Sequence, residues 1–136
     1  MFTITLSIIV ITCLISAAAF NNGRIMDELI FWPPAINKDR QYYRFLTCGL
    51  IHADFLHLAF NMFTLYFFGK VMEPWYMGEL GLPHYYYLIL YAGAIIVANI
   101  PTYIKRRHDY NYRSLGASGG VCAVVLCAMG VADCAP

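Results

Sequence analysis

Three polar residues within one apolar stretch, Asp54, His57 and Asn61, stand three and four positions apart. On a helix turning about 100° per residue, that spacing brings them onto one face. In hydrocarbon such groups are costly unless they meet partners or water, so the stripe is expected to face neighbouring helices or a water-filled cavity. Simple bonding between helices remains the alternative. His52 lies five positions before His57, roughly 140° around a helix, which places it in the preceding loop or the first turn. A two-histidine metal site wants its ligands at i and i+4, so no metal is expected, nor any other cofactor.

A second constellation, Gly116-Ala117-Ser118-Gly119-Gly120, opens a later apolar run. A serine on a glycine-lined turn entering a helix has an uncrowded hydroxyl beside backbone N–H groups able to hold an oxyanion. Gly116 and Gly120 also form GxxxG, a helix-contact pattern, so packing alone accounts for the glycines as well. What separates the two readings is whether the hydroxyl has a base within hydrogen-bond reach. The five cysteines, Cys13, Cys48, Cys122, Cys127 and Cys134, contain no CxxC pair. Most lie in or beside apolar segments, where free cysteine behaves as a small hydrophobe.

The elements that must position these residues are apolar runs long enough to cross a bilayer, which takes about 20 residues. Four are expected, over residues 2–20, 50–69, 85–104 and 115–132, in a single domain over 1–136 with both termini on one face. Ala17-Ala18-Ala19 resembles a signal cleavage site, but no Lys or Arg precedes the run and more spans follow, so it is read as a retained span. Residues 21–47 form a polar loop enclosing Leu29-Ile30-Phe31-Trp32, where Pro33-Pro34 is expected to stop any helix and Trp32 to sit at the interface. Lys70, Glu73, Pro74, Trp75-Tyr76, Gly78, Gly81 and Pro83 read as a turn at the opposite face. Ala94 and Ala98 offer a small-residue face on the third span.

Composition excludes the ordinary soluble domain: 60% of residues are hydrophobic and only 12% charged, against roughly 25% charged in soluble domains. Aromatic residues at 16%, with 11 Tyr, suit interfacial positions at the ends of apolar runs. A net charge of +1 supplies no field for nucleic acid, which is not an expected partner.

Taken together, His52-Ala-Asp-Phe-Leu-His57-Leu-Ala-Phe-Asn61 and Arg113-Ser114-Leu115-Gly116-Ala117-Ser118-Gly119 resemble the rhomboid family of intramembrane serine proteases, from about Tyr43 to Val125. The resemblance implies an all-α, polytopic transmembrane bundle with four spans present and the last two missing. It implies Ser118 as nucleophile, with His57 and Asn61 completing an oxyanion hole and His52 supporting from the start of the same helix. Gly116 and Gly119 would let Ser118 project and the fourth helix pack closely. Tyr43-Arg44 resembles the Trp-Arg pair of the family's first loop, where Gln41 replaces the Glu that often partners Arg44. Implied partners are the lipid bilayer and transmembrane protein substrates, for a multi-pass protein of the bacterial inner membrane.

The family's general base is a histidine on a sixth span, whereas this sequence stops at Pro136; His84 and His108 are placed elsewhere. The sequence is therefore expected to be a fragment or an inactive truncated member. Loop charges add a second departure: eight of the nine Lys and Arg residues fall in the loops at 21–47 and 105–114, with Lys70 opposite. The positive-inside rule puts those loops in the cytoplasm, while the resemblance puts the serine side outside. Two further readings stay open: a non-catalytic membrane protein holding client helices, and a transporter or channel subunit whose path is lined by His57, Asn61 and Ser118.

Overall fold

The computed structural model describes residues 3–134. Among them the chain is all-α: α1 (Ile4–Asn21), α2 (Gly23–Leu29), α3 (Pro33–Asp39), α4 (Arg44–Thr47), a 3-10 turn (Cys48–Leu50), α5 (Phe55–Gly78), α6 (Tyr85–Arg106) and α7 (Ser118–Cys134). Three helices, α1, α5 and α6, are long and apolar enough to cross a membrane, and α7 is a shorter apolar helix. The large apolar residues face outward. Phe60 is 72% exposed, and Leu14, Phe63, Phe67, Ile89 and Val97 are also exposed. A soluble monomer does not carry such a continuous apolar coat. The chain is an integral membrane protein.

Lipid solvates leucine as well as a protein core does, so helices here are joined by close approach and by polar contacts rather than by the hydrophobic effect. α7 packs between α5 and α6, and α1 packs on α5. A Cβ on Gly119 would come 2.8 Å from Ala98 Cβ and 3.4 Å from Ala94 O, so the small-residue face of α6 does receive α7. Gly120 is seated against the Tyr91 ring, where a Cβ would meet Cε2 at 2.7 Å. A Cβ on Gly69 of α5 would come 2.7 Å from the Thr5 hydroxyl and 2.9 Å from the Tyr87 hydroxyl.

Several boundaries differ from the sequence expectation. α5 starts at Phe55, because the Asp54 carboxylate accepts the His57 N–H at 2.7 Å as its N-cap. Asp54 thereby leaves the polar stripe. The helix continues through Lys70–Tyr76, which had read as a turn, carrying Pro74 inside it while Met72 and Glu73 are buried on its inner side. The turn falls instead at 79–84, where Gly81 has φ +58. Pro33 and Pro34 do not stop a helix; they open α3. Proline's fixed φ suits the first helical turn, where its missing N–H leaves no bond unmade. The expected location of both termini on one face concerns residues 1 and 136, which lie outside the described residues.

The polar loop holds three short helices, and one guanidinium ties the end of α2 to the start of α4. Arg44, 6% exposed, donates from Nε to Gln41 Oε1 at 2.6 Å and from Nη1 to the Asp27 and Ile30 carbonyls, both at 2.8 Å. Gln41 thus takes up the Arg44 contact with a neutral oxygen. Replacing Arg44 by Ala orphans the buried Ile30 carbonyl and the part-buried Asp27 carbonyl and should cost about 2 kcal/mol of stability, and Arg44→Lys about half of that, since an ammonium cannot span the three acceptors. Denaturant titration of the purified chain in detergent reads both.

Cys13, Cys48, Cys122 and Cys127 are free. Cys48, whose Sγ receives Asn99 Nδ2 at 3.3 Å, is buried, and burial pushes its thiol up to about 11. Cys122 is exposed. Maleimide at neutral pH should modify Cys122 at least ten times faster than Cys48, checked by peptide mass mapping, because the thiolate is the reacting species.

Candidate active site

The turn that delivers Ser118 is anchored from outside itself. Phe31 and Ser114 exchange both backbone bonds, at 2.9 and 3.1 Å, pairing the apolar strip of the first loop with the approach to α7. Arg113 bridges to Asp27 at 2.9 Å and lies over the Trp32 ring, whose Nε1 donates to the Tyr110 carbonyl. Gly116 N–H donates to the Cys48 carbonyl at 2.9 Å, and Asn99 Nδ2 holds the same segment through the Phe45 carbonyl. The first loop is therefore the scaffold of the serine turn.

His52 fixes the last residue before the helix. Ala117 N–H donates to His52 Nε2 at 3.3 Å, so that nitrogen carries no proton. The ring proton is then on Nδ1, facing Ser16 Oγ at 3.0 Å, and Ser16 passes its own hydrogen to the Leu50 carbonyl at 3.0 Å. Both ring nitrogens are committed, and His52, fully buried, is a positioning group. Ser16 was missed in the sequence. Its signal was there in Thr5, Thr12 and Ser16, three buried hydroxyls recurring at seven and four positions along a mostly apolar α1.

His57 stands beside His52, ring centroids 5.0 Å apart and edge-on. It packs against Gly116, where a Cβ would come 2.8 Å from His57 Cε1 and where φ is +117, a region that side chains rarely adopt. Gly116→Ala should therefore strain the backbone and push the imidazole aside, costing about 1–3 kcal/mol and shifting the His57 ring resonances in an NMR spectrum. Asn61, buried on the next turn of α5, donates Nδ2 to the His57 carbonyl at 2.9 Å, and its other amide hydrogen is uncommitted.

Ser118 is the first residue of α7 and is exposed. Val121 N–H is the first to bond within the helix, to Ala117 O at 3.0 Å, so the amides of Ser118, Gly119 and Gly120 precede the ladder. A groove of about 510 Å³ runs from Ser118 between α6 and α7, bounded by Asn99, Thr102, Gly119, Cys122 and Leu126 among others. Neither His57 nor Asn61 lines it. The structure thus brings His52 and His57 under residues 116 and 117, while Ser118 lines the groove. Among the described residues Ser118 Oγ makes no hydrogen bond to a side chain, and no group of three or more His, Cys, Asp or Glu side chains could hold a metal ion. The arrangement offers an accessible hydroxyl beside unengaged helix amides.

A family model for the rhomboid domain matches residues 39–133. A Bacillus subtilis (strain 168) protein named "Putative rhomboid protease YdcA" is 36% identical over 81 residues, which is 60% of this chain and 37% of that protein. The Arabidopsis thaliana protein "Rhomboid-like protein 15" is 31% identical over 98 residues, 68% of this chain and 24% of its own length. "Rhomboid-like protein 11, chloroplastic", also from Arabidopsis thaliana, is 38% identical over 80 residues, 59% of this chain and 26% of its own length. The chain thus spans well under half the length of each of these relatives.

Proposed function

The chain belongs to the rhomboid family, and on that premise we propose that it is the serine-bearing portion of an intramembrane endopeptidase that cuts transmembrane-helix substrates near the membrane surface. The observation that carries this reading is the Ser118 turn: an exposed hydroxyl on the first residue of α7, beside three amides outside the helix ladder, on a base built from His52 and the first loop. In the proposed reaction Ser118 Oγ attacks the scissile carbonyl. The developing oxyanion takes the Ser118 amide and donors from His57 and Asn61, each donor worth about 2.7–4 kcal/mol in comparable sites. His57 and Asn61 would turn toward the substrate oxygen on binding, as catalytic hydrogen bonds often tighten only in the complex. α7 would form the fourth span, at about 25 Å for its 17 residues. The bacterial inner membrane is the proposed location; one of the three relatives is bacterial.

No described side chain bonds to Ser118 Oγ, so the 136-residue chain alone is proposed not to turn over. A base would have to enter from the groove side. Adding a separate segment that carries a histidine on an apolar helix should yield cleavage of a transmembrane reporter, abolished by Ser118→Ala. Cleavage that persists in Ser118→Ala would overturn the nucleophile. A helix-holding, non-catalytic role is favoured by the same missing contact, and would show as reporter binding that neither the added segment nor Ser118→Ala alters.

A further inference from the structure

Besides Arg24 on α2, four exposed cations at the Ser118 end of the molecule are not ion-paired among the described residues, and they sit at two helix ends: Lys38 and Arg40 at the end of α3, and Lys105 and Arg107 at the end of α6. Their neighbours are committed, Arg106 to Asp109 at 2.8 Å, Arg113 to Asp27 at 2.9 Å and Arg44 to the first loop. The two helix ends are brought to one corner. Tyr103 on α6 donates to Asn37 on α3 at 3.4 Å, and Tyr103 also packs edge-on against Phe45 at 5.4 Å. Arg40 ends α3 in the left-handed conformation, φ 55, with its N–H on the Ala35 carbonyl. With Asp39 counted, the corner still carries a net charge of +3.

Immediately below these cations α6 turns apolar outward: Ile104 is 64% exposed and Ile100 41%. A charged layer directly above an exposed aliphatic one matches a phosphodiester with its acyl chain rather than a soluble anion, for which the aliphatic face has no use. We propose that the corner between α3 and α6 binds an anionic phospholipid, its phosphate between the two cation pairs and its acyl chain along Ile100 and Ile104. Anionic lipid is thereby held beside the scaffold that supports the Ser118 turn.

The test uses the 136-residue chain in detergent micelles doped with dioleoylphosphatidylglycerol or dioleoylphosphatidylcholine, with retained lipid counted by native mass spectrometry. The chain should keep the glycerol lipid in preference to the choline lipid. Neutralising Lys38 and Arg40 to Gln, or Lys105 and Arg107 to Gln, should each lower that preference, by about fivefold per charge removed. Neutralising Arg24 and Lys70, exposed cations outside the corner, should leave it within twofold. A preference that survives the loss of all four corner cations, a loss confined to one pair, or an equal loss in the Arg24 and Lys70 variant would each overturn the site.

Discussion

Fluorophosphonate should leave Ser118 unlabelled when the 136-residue chain is probed by itself. The probe reports a serine whose proton has somewhere to go, and a serine hydroxyl at neutral pH is a weak nucleophile without a hydrogen-bonded base. His52 cannot serve, because Ala117 N–H and Ser16 Oγ occupy both of its ring nitrogens. His57 is packed on Gly116 and does not line the Ser118 groove. In a soluble serine protease, loss of the histidine lowers kcat by about 10⁶ and leaves a residual of roughly 10³–10⁴ over water, below what gel labelling detects. A chain that had merely failed to fold would also be silent, so the added histidine-bearing segment is the control: it should restore labelling, and Ser118→Ala should remove it again. Clear Ser118-dependent labelling of the chain alone, lost in His57→Ala, would make His57 the base and take it out of the proposed oxyanion hole.

The sequence made the elements legible where apolar run length decides them, and the site legible where residue type and spacing decide it. The all-α membrane bundle followed from four long apolar runs, and the family from the spacing of His52, His57 and Asn61 with the later Ser118. What it hid are contacts between polar groups far apart in the chain. Asp54 read as one more polar residue on a face because an N-cap and a stripe member share the same spacing; only its extended backbone, φ −154, makes it a cap. Ser16, 36 residues from His52, had no local partner to betray it. Pro33-Pro34 was ambiguous in principle, since proline both ends one helix and begins the next. Gln41 differs from the glutamate expected beside Arg44, yet Arg44 needs an oxygen at that position rather than a charge, because the Asp27 and Ile30 carbonyls supply the rest of its shell.

Glu73→Ala should be the most destabilising single substitution in the chain, at about 3–5 kcal/mol, although Glu73 lies at the opposite end of α5 from the site. Every helix begins with amides that have no partner within it, and where such amides are buried each needs an acceptor from another element. α1 meets this with two side chains. Thr3 takes the Leu6 N–H at 3.2 Å, and Glu73, 4% exposed, takes the Ile4 N–H at 2.6 Å and the Thr5 N–H at 3.0 Å. The Thr5 hydroxyl adds a third bond to Glu73, 2.8 Å long, and the Tyr87 hydroxyl lies 3.4 Å from it. A carboxylate at a helix N-terminus also meets the positive end of the macrodipole. Removing it strands two buried donors, the Thr5 N–H and hydroxyl, and the part-buried Ile4 N–H, each buried one costing about 1–3 kcal/mol, less whatever relaxation recovers. Glu73→Gln should recover only part, since its NH₂ would face a backbone N–H, while Thr5→Val removes one bond and should cost about 1 kcal/mol. Denaturant unfolding of the three variants in one detergent gives the order. A Glu73→Ala loss below that of Thr5→Val would mean that α1 is capped some other way. With the histidine-bearing segment added, Ser118 labelling per folded molecule should stay unchanged in Glu73→Gln, because the stabilisation comes from anchoring α1 and not from the chemistry at the far end of the bundle.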